Sequence, residues 1–118
     1  MKFSPIDPPR TFSVGQGGSI QISHAADIHL DADEQVTFRT ERGSETDVAR
    51  KSWGFYAAGS LNGRLPQCGL RPVLVRNEQG RLYLMLVEAG CEPDFEAYCR
   101  DDKQTVLFWL DGSQDLPF

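Results

Sequence analysis

This sequence lacks a basic run. Its 12 Lys and Arg are scattered among 17 Asp and Glu, giving a net charge of -5 and a pI near 4.9. Non-specific binding to nucleic acid draws its affinity from counterions released by clustered basic side chains, so that class is excluded. Paired cysteines are also missing. Cys68, Cys91 and Cys99 make an odd set with no CxxC spacing, which argues against a disulfide framework and a structural zinc site. Such cysteines suit the interior of a protein in a reducing compartment, and a cytoplasmic location is expected. No apolar run approaches the ~20 residues of a membrane helix, and the first residues hold no apolar signal core. No membrane association is expected.

Catalytic signatures are equally scarce. Ser60 lacks the Gly-x-Ser-x-Gly elbow and an assignable base. Cys68 beside Gly69 is a thiol whose activation would need a neighbouring positive group. The stretch Gly15-Gln16-Gly17-Gly18 is expected to be a turn or loose linker, because a phosphate-cradling loop follows a strand and opens a helix. No catalytic residue and no cofactor is assigned.

What is present is the pattern of one domain. A chain of 118 residues with 40% hydrophobic and 25% charged content is long enough to bury a core of its own. Residues 1–18 read as an irregular N-terminal arm, because Pro5, Pro8 and Pro9 remove backbone donors and three glycines follow. Residues 19–118 form a single globular domain. Alternation of polar and apolar residues predicts strands at 19–23 and 27–33, with His24-Ala25-Ala26 interrupting. A hairpin follows over 35–40 and 45–49, turning through Glu41-Arg42-Gly43-Ser44, with Arg39 able to pair with Glu45 or Asp47. Residues 70–76 and 81–88 make a second hairpin across Asn77-Glu78-Gln79-Gly80. Its first strand tolerates Pro72 only at an edge or an unpaired position. Its second strand is almost continuously apolar, which suits a central strand covered on both faces. Pro93, Asp94 and Glu96 open a helix over about 93–101, with Phe95, Tyr98 and Cys99 on its buried stripe. A last strand over 104–110 is placed by this crossover parallel to 81–88. The fold class is α+β: a mostly antiparallel β-sheet, or a small barrel or roll, of six or seven strands with one helix in the C-terminal half.

Two groups of residues carry chemistry. On strand 27–33, Asp27, His29 and Asp31 alternate onto one face, the residue types of a weak metal site or an acid–base pair. Side chains two apart on a strand are ~6–7 Å apart at the α-carbon, so a solvated polar face is the simpler reading. His24 would point to the opposite face unless a bulge intervenes. The second group is the stretch Arg50 to Leu65. It holds Trp53, Phe55 and Tyr56 within four positions, flanked by Arg50, Lys51 and Arg64. Aromatic rings with arginine donors suit a sugar, a base or a phosphorylated metabolite. The competing reading sends Trp53 and Phe55 into the core and leaves Tyr56 at its edge. Ser60-Leu61-Asn62-Gly63-Arg64 is either a tight turn centred on Asn62-Gly63 or a short helical turn capped by Ser60. The ligand-binding set is therefore Arg50, Trp53, Tyr56, Asn62 and Arg64.

The string Arg50-Lys51-x-Trp53-Gly54-Phe55-Tyr56-Ala57 with Ser60-Leu61-Asn62-Gly63-Arg64-Leu65, then Leu74-Val75-Arg76-Asn77 and Met85-Leu86-Val87-Glu88, resembles small uncharacterised bacterial proteins associated with surface-polysaccharide biosynthesis clusters. The resemblance covers about residues 35–110. It implies a sugar-related or accessory role and names no site residue.

Three functions follow as expectations. The first is a small non-catalytic binding or accessory domain for a protein partner or a sugar-type metabolite. The second is a metal-dependent β-barrel enzyme acting on a carbohydrate or nucleotide-sugar through His29 with Asp27 or Asp31. The third is a homo-oligomeric structural unit, a homodimer at its simplest, pairing through an exposed strand edge or through the apolar strand 104–110.

Overall fold

The computed structural model describes residues 1–118. Eight strands form three small antiparallel sheets, with no closed barrel. The first sheet is a hairpin of β1 (Lys2–Val14) and β2 (Ile20–His29). The second has the order β3 (Gln35–Arg39), β4 (Glu45–Lys51), β5 (Gly54–Tyr56). A single helical turn, α1 (Arg64–Gln67), leads to the third sheet. That sheet contains β6 (Leu70–Arg76), β7 (Leu82–Glu88) and β8 (Thr105–Trp109), with α2 (Glu92–Asp101) between β7 and β8 in sequence. The α+β class with one C-terminal-half helix holds; the strand count is eight rather than six or seven. No helix is long and apolar enough to cross a membrane.

The N-terminal segment departs from the expectation of an irregular arm. Lys2–Val14 is a strand, and its register with β2 shifts between Pro5 and Arg10. Ile6 to Pro9 stand opposite Ala25 alone, so Pro8 and Pro9 fall where the ladder needs no donor. On the other side β2 runs unbroken from Ile20 to His29 through His24-Ala25-Ala26, while residues 30–33 leave the sheet. The glycine-rich stretch after Val14 is the turn of this hairpin, as expected. It does follow a strand, but it opens only a short 3-10 turn, Gln16–Gly18. The turn is pinned at its tip, where the Gln16 N–H donates to Asp102 Oδ1 at 2.8 Å.

The third sheet holds the core. Its order is β7-β6-β8, so β6 is the central strand and β7 lies at an edge. The apolar run 81–88 suggested the reverse. The helix α2 is long enough to carry the chain past β6, and β8 then takes the free side of β6. Strands β7 and β8 run in the same direction, but β6 lies between them. Pro72 sits in the central strand without breaking it. Its carbonyl accepts from Leu110 N at 2.9 Å, so its nitrogen faces the β8 side, beyond the last paired residue Trp109. Val73 and Val75 are fully buried and Val87 nearly so. They pack with Met85, Phe95 and Trp109, the last two edge-to-face at 5.8 Å. Phe95 and Cys99 therefore form the buried stripe of α2, and Tyr98 lies at its exposed margin.

Two polar clusters join the parts. Arg71 stacks on Trp109 at 4.1 Å and donates to Asp111 at 2.6 Å and Glu92 at 3.1 Å, tying β6 to α2 and the C-terminal segment. Glu88 accepts the hydroxyls of Thr40 at 2.6 Å and Ser44 at 2.7 Å, tying the third sheet to the β3–β4 turn. Gly69 sits at this junction with φ +88°, and a Cβ there would stand 2.7 Å from Ser44 Oγ. Only glycine meets both conditions.

Candidate functional site

The β4–β5 hairpin presents the central aromatics. Lys51 pairs with Gly54, Arg50 with Phe55 and Ala49 with Tyr56, so Ser52-Trp53 is a two-residue turn. Gly54, at φ +144°, lets the chain return after that turn. Strand β5 is short and lies at the sheet edge, with no further strand paired to it. Its rings are consequently in water: Trp53 is 71% exposed, Phe55 66% and Tyr56 54%. This overturns the placing of Trp53 and Phe55 in the core. The chain builds its core around β6 instead, and the aromatic hairpin stays outside it.

Pairing fixes the faces. Directly opposed residues share a face, so Phe55 lies with Arg50, Val48, Val36 and Phe38, while Tyr56 lies with Ala49, Asp47 and Thr37. Phe38 is itself 49% exposed. Phe55 was not among the expected ligand-binding residues; the two-residue turn between Lys51 and Gly54 places it on a hairpin strand, but its exposure follows from the edge position of β5 in the sheet, which no local pattern signals.

The cations of this region are already engaged. Arg64 reaches Asp47 at 3.3 Å and Glu45 at 3.9 Å, Arg39 pairs with Glu45 at 2.9 Å, and Lys51 pairs with Asp33. Arg50 donates to the Lys51 carbonyl. Thr37 donates to Asp47 at 2.6 Å, and with Arg64 it holds that carboxyl below the usual carboxylate range. Of the two pairings foreseen for Arg39, the structure makes the one with Glu45. What remains exposed is apolar ring surface, without a cluster of free guanidinium groups.

Asn62 and Arg64 leave the turn before β6 in different directions. Residues 61–63 form the turn, α1 follows, and Ser60 Oγ accepts the Arg64 N–H at 2.8 Å, so features of both expected conformations are present. Asn62 lines an apolar cavity of about 450 Å³ with Leu61, Leu110, Leu116 and Phe118. Arg50, Trp53, Tyr56 and Arg64 do not line it. The five expected residues thus do not share one concave surface.

The acidic strand face is not assembled into a metal centre. Asp27 Oδ1 meets His24 Nε2 at 2.8 Å, brought round by the irregularity opposite Pro8 and Pro9. Asp31 lies 3.7 Å from the Met1 amino group, and His29 stands opposite Lys2. No three His, Cys, Asp or Glu side chains converge as metal ligands. Cys68 lines an open polar cleft of about 480 Å³ with Arg42, Ser44, Glu45 and Gln67, and the Ser44 hydroxyl there is spent on Glu88.

No protein-family model, curated protein or solved structure matches this chain.

Proposed function

We propose that this chain is a non-catalytic binding module that recognises a protein partner through the β4–β5 hairpin. The observation that carries the reading is the exposure of Trp53, Phe55 and Tyr56 together on one edge hairpin. Exposed aromatics are what protein interfaces concentrate, because their large rings bury much area at little entropic cost. A phosphorylated or carboxylated metabolite is disfavoured, since Arg39, Lys51 and Arg64 are paired with carboxylates of the same chain. A neutral sugar is the second reading. Exposed Trp53 and Tyr56 rings can stack on sugar faces, and the resemblance to polysaccharide-cluster proteins points the same way.

The test is photo-crosslinking from position 52, beside Trp53 in the exposed turn, in cells that make the protein, followed by binding measurements with the captured partner. Trp53→Ala and Phe55→Ala should each weaken that binding by about tenfold or more, with far-UV circular dichroism unchanged. Binding that survives both substitutions would refute the surface. Titration of neutral oligosaccharides against tryptophan fluorescence discriminates the second reading: quenching lost in Trp53→Ala would favour sugar over protein.

A further inference from the structure

Strand β7 lies at an edge of the third sheet, and its register fixes which of its backbone groups are free. The Asn77 N–H donates to the Arg81 carbonyl at 3.0 Å at one end of the β6–β7 ladder, and the Ala89 N–H donates to the Gly69 carbonyl at 2.9 Å at the other. The pairing between them runs without a bulge. Hydrogen-bonded and non-hydrogen-bonded pairs alternate along an antiparallel ladder, so Tyr83, Met85 and Val87 bond to β6. The N–H and C=O groups of Leu82, Leu84 and Leu86 point the other way, and no group of this chain pairs with them. The side chains of the same three residues are 59%, 53% and 36% exposed, while Leu70 and Pro72, on the same face of β6, are buried. What stays open is the margin of the sheet rather than its face.

Open sheet edges invite pairing with other chains, and proteins blunt them with proline, charge, bulges or short strands. Every other edge of the three sheets is blunted in one of these ways. Strand β1 carries Pro5, Pro8 and Pro9 and a register shift. Strand β2 carries Asp27 and two histidines. Strand β3 ends in Arg39, and β5 has only three residues. Strand β8 is bulged against β6, and its Trp109 N–H is taken by Gln114 Oε1 at 3.0 Å. Strand β7 alone runs from Leu82 to Val87 with no charge, proline, glycine or bulge.

We propose that this edge takes up an extended segment of a different polypeptide, which joins the third sheet as a further strand beside β7. Three outward residues spaced about 6.7 Å apart offer a row of donors and acceptors that a strand-like backbone matches. A segment of about five residues spans them. Its residues opposite Leu82, Leu84 and Leu86 share their face and are apolar. Those between lie beside Tyr83 and Met85, and Tyr83 is itself 42% exposed, so polar side chains are tolerated there. Charge selects against a second copy as the occupant. Each chain carries a net charge of -5, and like net charge opposes self-association. A neutral or basic segment meets no such repulsion. The edge is distinct from the β4–β5 hairpin and binds independently of it.

Selection of a displayed random-peptide library on the full chain, followed by fluorescence anisotropy with the enriched peptides, tests it. These peptides should be free of proline and apolar at every second position. Leu84→Pro removes an outward N–H without touching a bond to β6, a place where an edge strand accepts proline. It should weaken binding by about tenfold or more, whereas Leu84→Ala, which keeps the N–H, should weaken it less. Trp53→Ala should leave it unchanged. If Leu84→Pro does not fold, N-methylation along the peptide gives the same answer on the wild-type chain: binding should fall at alternate positions only. Failure of any peptide to enrich would overturn the proposal. So would binding indifferent to Leu84→Pro and to N-methylation, which would mean docking by side chains alone. Light scattering supplies the remaining outcome: a wild-type dimer that Leu84→Pro turns into single chains would give the edge to a second copy and overturn the choice of partner.

Discussion

At the scale of single residues, side chains are sorted by what they can reach. Trp53, Phe55 and Tyr56 reach nothing that would bury them, and Arg39, Lys51 and Arg64 reach carboxylates. The sequence displayed both groups plainly. It did not display their environment, because burial depends on which element lies beyond the edge of a sheet. Arg71 was missed altogether. Its partners Glu92 and Asp111 are far along the chain, and Trp109 is farther from it than any local pattern extends. The Asp111 side chain is only 7% exposed, so removing Arg71 leaves a nearly buried carboxylate without its cation. Arg71→Ala should therefore lower stability by about 2–3 kcal/mol, the low end for a broken buried pair, since Arg71 retains some solvent. Urea denaturation monitored by circular dichroism measures it. An unchanged midpoint would show that the Arg71 cluster contributes nothing net.

At the scale of elements, local pattern worked where neighbours in sequence are also neighbours in space. The hairpins β3–β4 and β6–β7 are both legible, because turn residues and two-residue alternation fix them. The helix α2 is legible from Pro93, its acidic first turn and its apolar spacing. Proline misled the reading of β1. Three prolines suggested irregular chain, but a register shift absorbs Pro8 and Pro9, and such a shift is visible only once the partner strand is known. The α1–β6 connection has a constraint of another kind. Gly69→Ala would place a Cβ at φ +88° and against Ser44 Oγ. The expected loss is about 1–3 kcal/mol, read from the same denaturation curves. Ser44→Ala in the same background should recover part of the steric component, while the backbone component persists.

At the scale of the whole molecule, three sheets share little interior. The radius of gyration is 15.8 Å, against about 13.5 Å for a compact chain of this length. Few side chains are fully buried, and polar bonds between elements have a share in the cohesion. That share depends on pH. Asp47 is held below its ordinary range by Thr37 and Arg64, and Glu88 by Thr40 and Ser44. Glu92 is held down by backbone N–H groups and Arg71. Burial works against the Asp111 carboxylate, but Ser113 and Arg71 outweigh it and lower its pKa too. Folded-state values below the unfolded ones mean that this stability is fully present above the unfolded carboxyl range, about pH 4. It is lost as pH falls through the depressed folded values. The urea midpoint should be flat above about pH 5 and decline below about pH 4. Glu88→Gln should make that decline shallower; an equally steep decline would assign the acid sensitivity to other groups.

The sequence by itself determined the α+β class, two of the hairpins, the helix and the absence of a recognisable catalytic motif. Those features rest on local periodicity, turn chemistry and residue type, all written within short windows. Only the tertiary structure decided that β6 is central, that β1 pairs with β2, and that the aromatic hairpin and the leucines of β7 face outward. Strand order and exposure are set by which distant elements meet.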